Sequence, residues 1–441
     1  MLELREAQLT AVSHIVSESV LLLADVGAGK TATVLNTLRR RRLIYGRKRT
    51  LVLGTKRICD TVWDDEVQIW APEFRYESVA GRNATERFLM MMDDSIDIIG
   101  LNFENLIWAA EVFKDDLHVF FPQLVIDESS KLENPSSKSF KAVKPLLPFF
   151  EWRIPMTGTP RANHLHDLWG SLYLADLGVS LGEHKQAFLQ NFFIPVQRAV
   201  GIDWIPRAHA EEVIKERASA HVHRMPFEWH APVEIDVQIP INIHVKHIQK
   251  EIDKQMKENG EATIKGITYG RNGHRNATKM LQLSSGYIYD DEGITTFIHM
   301  DKLNALKEIV NEAHGEPVMV VFQFDHERDA ILELLPQARL LDDDATLKAW
   351  NNGDIEVLLV HPRSCGHGLN AQLSGCDLQV WFTPTTDAEL YTQTIGRLNR
   401  PGNPKTIRVM RLIMQGTKDR AAYMVVAARQ RGENATLESF L

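Results

Sequence analysis

The chain has 441 residues, 44% of them hydrophobic, and a formal net charge of −8. This length allows two or three domains with ample core, and the composition is that of an ordinary globular protein. No apolar run is long enough to span a membrane, and the start MLELREAQLT lacks the regions of a signal peptide, so we expect no membrane partner. The chain has three cysteines, at positions 59, 365 and 376, and none of them is in a C-x-x-C spacing. This pattern favours a reducing cytoplasm and argues against a zinc site. The negative charge excludes nonspecific coating of nucleic acid, so such binding would need a local basic cleft.

The first pattern with a chemical meaning is LLLADVGAGKT, Leu21–Thr31. Its apolar run predicts a buried strand, its glycines a loop, and the following ATVLNTLRR a helix, which together predict a phosphate-binding loop. Backbone N–H groups and the helix N-terminus bind the anion in such a loop. We expect the nucleotide to contact Gly27, Ala28, Gly29, Lys30 and Thr31. Lys30 would reach the terminal phosphates and the Thr31 hydroxyl would ligate Mg²⁺, although Ala24 stands where the usual motif has glycine.

A second apolar strand, in FPQLVIDESS at 121–130, ends in Asp127 and Glu128. The carboxyl ends of parallel strands meet at one edge of the sheet, so this acidic pair should lie beside the phosphate loop. Asp127 suits a hold on Mg²⁺, and Glu128 suits the base that orients and deprotonates the attacking water. Upstream, Gln8 on a short predicted helix could bind N6 and N7 of adenine, or be an ordinary exposed glutamine.

Other polar residues at predicted strand ends are candidate nucleic-acid contacts, although ordinary polar turns give the same pattern. They are Thr55, Lys56 and Arg57 after TLVLG, Asn102 after SIDIIG, and Thr157 at the end of RIPMT. The basic run RRRRLIYGRKR at 39–49 could contact phosphates, but we favour a solvated helix end that complements the helix dipole. The segment ITYGRNGHRNATK at 267–279 either contacts a phosphate backbone or is a mobile loop.

In this order the motifs resemble those of superfamily 2 helicase-like ATPases, specifically the Swi/Snf-type double-stranded DNA translocases. LADVGAGKT is similar to the family's L-A-D-x-G-x-G-K-T, and LVIDESSKLENPSSKSFKAV to its D-E-x-H-x-x-K-N-x-x-S-K. RIPMTGTPRANHLHDLWGSLYL is similar to its L-T-G-T-P-x-x-N-x-x-x-E-L-W. Ser130 stands at the customary histidine, Glu133 near the customary lysine and Asp167 at the customary glutamate. The change at Ser130 bears on how hydrolysis is coupled to movement rather than on hydrolysis itself.

The second half continues this resemblance. Its matching residues are Gln323-Phe324, Gly366-x-Gly368-Leu369-Asn370 and Gln393-x-x-x-Arg397-x-x-Arg400-x-Gly402, with Asn403 where the family has glutamine. The resemblance implies that Arg397 and Arg400, three apart on one helical face, complete the ATP site from a second lobe, with Gln393 beside the nucleotide. It also implies nucleic-acid contacts at Gln323, Arg363, Ser364 and Asn370.

These observations predict an α/β fold with two RecA-like parallel-sheet lobes and helical insertions between them. Lobe 1 would cover 1–180, the insertions and interlobe linker 181–298, and lobe 2 299–441. The predicted activity is that of a nucleic-acid-stimulated ATPase that uses ATP and Mg²⁺ to move on duplex or forked DNA. We expect a monomer in isolation, in the cytoplasm, or in the host cytoplasm for a viral source. Two alternatives stay open: a strand-separating DNA or RNA helicase, and a nucleotide-controlled DNA- or protein-binding module with little turnover.

Overall fold

The computed structural model describes residues 3–25, 27–158, 165–197, 202–227, 230–270, 273–365 and 370–438. The chain forms two compact units, Met1–Phe227 with Arg431–Leu441, and Glu228–Gln430. The lobe boundaries expected at 180 and 298 stay a prediction. None of the helices in the described ranges is long and apolar enough to cross a membrane.

The first unit is an α/β layer structure. Its strands are β1 (Leu21–Ala24), β2 (Thr50–Gly54), β3 (Tyr76–Ser78), β4 (Ile98–Asn102), β5 (Gln123–Asp127), β6 (Trp152–Thr157), β7 (Phe193–Gln197), β8 (Ile202–Pro206) and β9 (Val222–Met225). Its helices are α1 (Glu6–Ile15), α2 (Lys30–Tyr45), α3 (Trp63–Trp70), α4 (Ala84–Met92), α5 (Leu106–Phe113), α6 (Leu117–Phe120), α7 (Lys138–Val143), α8 (Leu168–Asp176), α9 (Lys185–Phe192) and α10 (Ala210–Ala218). Within the described residues, the main sheet is parallel and has the order β3-β4-β2-β5-β6-β1-β9.

The apolar runs of this sheet are buried on both faces. Leu21 and Leu23 of β1 belong to one hydrophobic cluster, and Leu22 and Ala24 belong to the other. Alternate side chains of a strand point to opposite faces, so a strand covered by helices on both sides is apolar throughout. This is why LLLA reads as a continuous apolar run rather than as an alternating one.

The second unit repeats this plan. Its strands are β10 (Val233–Ile239), β11 (Ala262–Ile264), β12 (Ile267–Tyr269), β13 (Tyr287–Tyr289), β14 (Thr295–Phe297), β15 (Val318–Val321), β16 (Ala338–Leu340), β17 (Val357–Val360), β18 (Leu378–Trp381) and β19 (Arg408–Met414). Its helices are α11 (Ile243–Asn259), α12 (Gly273–Ser285), α13 (Asp301–Glu312), α14 (Asp325–Leu334), α15 (Asp344–Asn351), α16 (Pro362–Cys365), α17 (Ala388–Ile395) and α18 (Asp419–Glu438). In the part of the chain that is described, the parallel order is β10-β19-β18-β15-β17-β16. The predicted α/β class with two parallel sheets is therefore confirmed.

The middle of the chain is less helical than expected. Antiparallel strand pairs join β7 to β8, β11 to β12, and β13 to β14. The segment at 267–279 is also more ordered than a loop, since it contains β12 and the start of α12.

One local prediction is wrong. Arg397 and Arg400 do not share a helical face, because α17 ends at Ile395 and Gly396 is its C-cap. The chain continues in tighter turns, in which the Arg397 N–H donates to the Thr394 carbonyl at 3.2 Å. Glycine has the lowest helix propensity after proline and commonly ends helices, which explains the stop.

Candidate nucleotide-binding site

The predicted phosphate loop lies between β1 and α2. Gly27 and Gly29 have φ angles of 81° and 77°, and Gly29 is the N-cap of α2, which begins at Lys30 as expected. A Cβ on Gly29 would lie 2.5 Å from the Gln8 side-chain nitrogen. The left-handed backbone therefore favours glycine at position 29, and any larger residue would also displace the Gln8 amide. The glycine loop thus leads directly into the α2 N-terminus, the arrangement that anion sites use.

Helix α1 supports this loop from one side. The Gln8 Oε1 accepts from the Arg5 backbone N–H at 3.0 Å, and its Nε2 donates to the Gly29 carbonyl at 3.2 Å. The Arg5 guanidinium donates to the Ala28 carbonyl and stacks on the Phe227 ring, 4.1 Å from its centroid. Gln8 is buried and its amide is already engaged at both ends, so reading adenine would require these bonds to be exchanged. That role stays a prediction.

Strand β9, which pairs with β1, supports the loop as well. Arg224 forms an ion pair with Asp25 at 2.6 Å, and the Phe227 backbone N–H donates to the same carboxylate at 2.9 Å. Asp25 is the first residue after β1, so this contact fixes the entry to the loop. The sequence analysis missed Arg5 and Arg224, and no local pattern could reveal Arg224, which lies 199 positions from Asp25.

Asp127 ends β5, next to β6 and one strand further from β1. Its side chain is buried, and its Oδ2 accepts from the Trp63 indole N–H at 2.9 Å. Burial raises the pKa of Asp127, while the Lys30 charge and the Trp63 hydrogen bond act in the opposite direction. Lys30 therefore acts electrostatically on Asp127, so the structure brings together the loop lysine and the acid. Trp63 thus positions the Asp127 carboxylate. The sequence predicted a helix at Trp63 but gave no indication of this contact.

Glu128 adopts a left-handed backbone conformation, with φ of 69°. Its Oε1 accepts from the Ser130 hydroxyl at 3.1 Å and from the Thr157 hydroxyl at 3.3 Å. A non-glycine residue at this φ is uncommon, and Glu128 adopts it where the chain turns from β5 into a short 3-10 helix, Ser129–Leu132. Ser130, which replaces the customary histidine, thus holds the predicted base directly, together with the last residue of β6.

These side chains fit Mg²⁺ and a nucleotide triphosphate. Mg²⁺ prefers oxygen ligands and usually takes one or two protein groups plus phosphate oxygens, which the Asp127 carboxylate and Thr31 hydroxyl could supply. A buried carboxylate with a raised pKa gains from a nearby cation. No group of three or more His, Cys, Asp or Glu side chains that could hold a metal occurs in the described ranges.

The candidate nucleic-acid residues of the first unit follow the same edge of the sheet. Thr55 follows β2, Asn102 ends β4 and Thr157 ends β6. Asn102 donates to Glu104 at 2.6 Å, while Lys56 is exposed and lines a polar pocket of about 490 Å³ with Gly81 and Arg82. Arg57 follows Lys56, before a short π-helix, Ile58–Val62. Contact with nucleic acid stays a prediction for all of them.

In the second unit, strand ends again gather the predicted residues. Gln323 follows β15, and Arg363 and Ser364 follow β17; these strands are parallel neighbours. The Gln323 backbone N–H donates to Glu327 at 2.8 Å, and both Arg363 and Ser364 are exposed. The matching residues at 366–369 and 159–164 lie outside the described residues.

The remaining predicted residues surround α17. Arg400 donates to the Asn370 side-chain oxygen at 2.6 Å and to the Gly396 carbonyl at 2.7 Å. Arg397 is buried, and Gln393 is buried with its amide donating to Glu389 at 3.0 Å. The structure thus joins Arg400 to Asn370, while the catalytic and nucleotide-binding roles of these residues stay predictions.

Comparison with known proteins identifies the family. The SNF2-related domain family matches residues 7–260. Putative protein p41 of Acyrthosiphon pisum secondary endosymbiont phage 1 is 29% identical, covering 95% of this chain and 93% of that protein. An uncharacterized ATP-dependent helicase of Mycoplasma pneumoniae is 25% identical over 85% of this chain, and the human SWI/SNF-related matrix-associated actin-dependent regulator of chromatin subfamily A member 1 is 24% identical over 94%. The chain spans only 36% and 42% of the lengths of these two proteins.

A solved structure is also similar. The Sulfolobus solfataricus SWI2/SNF2 ATPase core in complex with dsDNA is 20% identical, covering 100% of this chain and 94% of that one, with a TM-score of 0.46. The family match covers more than half of the chain and includes the phosphate loop and the acidic pair described above. The chain therefore belongs to the SNF2-related domain family and is a helicase-like ATP hydrolase of the Swi/Snf type.

Proposed function

We propose that this protein couples ATP hydrolysis to movement on duplex or forked DNA. The observation that carries the proposal is that predicted ATP-site residues lie along one edge of the first unit's parallel sheet. Along it lie the phosphate loop after β1, Thr157 at the end of β6 and the acidic pair at the end of β5. Thr157 lies between the other two in strand order and donates to Glu128, so it links the strand next to the phosphate loop with the base.

In this proposal each residue has a defined task. The loop backbone and Lys30 bind the phosphates, and Asp127 with Thr31 would hold Mg²⁺, which supplies positive charge to the phosphate oxygens. Glu128 orients the attacking water and accepts its proton. Both hydroxyl donors bind its Oε1, which leaves Oε2 as the oxygen for the water. Stabilisation of the transferred phosphoryl is assigned to Arg397 and Arg400 on the sequence resemblance.

The choice of DNA rests on the relatives and on the strand-end residues. One relative is named as a regulator of chromatin and another as an ATP-dependent helicase, which supports a nucleic-acid partner and favours duplex DNA. The phage source of a relative similar over 95% of this chain supports a place in the cytoplasm of a bacterial host. We also propose that the protein is a monomer in isolation.

The test measures the ATPase rate without nucleic acid, with single-stranded DNA, with blunt duplex and with RNA. We expect blunt duplex to stimulate the wild type, and Lys30→Ala to abolish the rate. A triplex-displacement assay then asks whether the protein moves along duplex, with Glu128→Gln as the hydrolysis-deficient control. Stimulation only by single strands or RNA would instead favour a strand-separating helicase. Absence of stimulation would favour a nucleotide-controlled binding module.

A further inference from the structure

The solvent face of α11 carries an unusual row of charges. The helix buries Val245, Ile248 and Ile252 against the second unit. Its exposed lysines are Lys246, Lys250, Lys254 and Lys257. At about 100° per residue, these positions fall within roughly 80° of one another on the side away from the buried row. They form one surface, which we call the α11 lysine stripe.

Most cations of the other two basic clusters are paired or buried within the fold. In the run at 39–49, ion pairs join Arg39 to Glu73, Arg42 and Arg47 to Asp97, and Lys48 to Glu151. Arg41 and Arg49 are buried. Arg40 is exposed and α2 ends within this run at Tyr45, so the solvated helix end stays a prediction, although carboxylates and the protein interior take up most of the cations.

The basic segment at 267–279 is also engaged internally. Arg275 forms an ion pair with Asp291, and Lys279 donates to the Tyr289 carbonyl. Arg271 lies outside the described residues. Neither of the two basic clusters that stand out in the sequence thus offers a row of unneutralised cations among the residues described.

The stripe differs because no described carboxylate lies within 4.0 Å of its four ammonium groups. The acids on α11 are Glu251, Asp253 and Glu258. Glu251 accepts from Gln255 at 2.9 Å and lies on another side, Asp253 lies on the lysine face, and the exposed Glu258 lies one turn after Lys254 at the edge of that face. Lys246, Lys250 and Lys254 are also spaced four apart, and like charges at that spacing repel. Four exposed lysines without a close ion pair, on a protein of net charge −8, point to an external polyanion.

We propose that the α11 lysine stripe binds the phosphate backbone of duplex DNA. This inference rests on the proposed function and adds a contact surface outside the strand-end residues. The stripe extends about 16 Å along the helix axis, at roughly 1.5 Å per residue. Duplex DNA carries about one charge per 1.7 Å of its axis, so a rod of this length meets several phosphates. Lysine suits such a contact because it binds phosphate as a point charge without demanding a base sequence.

The experiment uses the full chain and a blunt, fluorescently labelled duplex. The dissociation constant is measured for wild type and for the double variant Lys246→Gln/Lys250→Gln. The KCl concentration is varied from about 50 to about 300 mM, roughly the range over which phosphate contacts are lost. The control is Lys307→Gln/Lys348→Gln, which removes the same charge from exposed positions on α13 and α15. The basal ATPase rate without DNA is recorded for all three proteins.

We expect the stripe variant to reduce the slope of log Kd against log[KCl] by about 2, since each lysine–phosphate contact contributes roughly 1. Its basal ATPase rate should equal that of wild type, and the control should retain the wild-type slope. If duplex stimulates the wild type and the stripe variant keeps the wild-type slope, this inference is overturned but the proposed function is not. A wild type that neither binds duplex nor is stimulated by it overturns both the inference and the proposed function.

Discussion

The hydrogen bond from Trp63 to Asp127 gives the sharpest test of how the site is built. Trp63→Phe keeps most of the buried ring, including its stacking on Tyr76, but removes the donor 2.9 Å from the Asp127 Oδ2. A buried polar group left without its partner costs about 1–3 kcal/mol. For a unit of this size each kcal/mol lowers Tm by about 2–4 °C, so we expect a loss of about 2–12 °C at neutral pH.

The pH dependence separates this effect from simple loss of packing. Burial raises the pKa of Asp127 above its ordinary value, so the folded state favours the protonated form. The stability that this preference contributes is present below the unfolded pKa and is lost as pH rises through the folded pKa. Removing the Trp63 donor raises the folded pKa further. The difference in unfolding free energy between variant and wild type should therefore be small in acid and grow toward neutral pH.

The assay is chemical denaturation from pH 3.5 to 8, together with the pH profile of ATP hydrolysis, over a range chosen to bracket the ordinary carboxyl pKa of about 3.9. The acid limb of the ATPase profile should move to higher pH in Trp63→Phe. Trp70→Phe, at the other end of α3, is the matched control. A destabilisation that is equal at every pH, or that persists in an Asp127→Asn background with the same pH dependence, would refute the reasoning.

Three further changes test other parts of the chain. Gly29→Ala should abolish nucleotide binding and destabilise the first unit, because φ at position 29 is left-handed and the new Cβ would lie 2.5 Å from the Gln8 amide. Equilibrium binding of a fluorescent ATP analogue measures the loss of nucleotide affinity. Ser130→Ala removes one of two donors to Glu128 and should lower kcat about tenfold or less, with little change in KM, since the second donor stays; a wild-type kcat would contradict the positioning role. Lys302→Met removes the ion-pair partner, 2.8 Å away, of the buried Asp419 carboxylate, which then keeps, among the described residues, only its hydrogen bonds from Ser284 and the Met414 N–H. It should destabilise the second unit by about 3–5 kcal/mol in denaturant titrations, and a neutral result would show that the ion pair is dispensable.

The unexpected feature of the phosphate loop is the number of distant groups that hold it. Arg5, Gln8 and Arg224 all contact the loop or its first residue from elements outside the motif. Preorganised backbone donors lose less entropy when they bind an anion. The surrounding contacts thus explain how a short glycine loop keeps one conformation before the nucleotide arrives.

Local sequence determined the two parallel sheets and the chemistry at their edges. Apolar runs buried on both faces predict parallel strands, and β2 matches the predicted Thr50–Gly54. The strand–loop–helix at Leu21–Thr31 and the acids after β5 follow from short-range rules, because backbone conformation and strand ends depend on neighbouring residues. The same rules failed near Gly396. We predicted one helix that carries both Arg397 and Arg400, but the helix ends at Ile395 and Gly396 is its C-cap.

Only the tertiary structure decided which side chains meet. Trp63 and Asp127 are 64 positions apart and Asp25 and Arg224 are 199 apart, and no periodicity connects such pairs. Ion pairing also depends on the fold: several cations of the run at 39–49 pair with carboxylates that folding brings close, whereas no described carboxylate lies within 4.0 Å of the exposed lysines of α11. A residue's type and spacing fix what it can do, but its partner depends on which elements pack together, and that is decided by the whole chain.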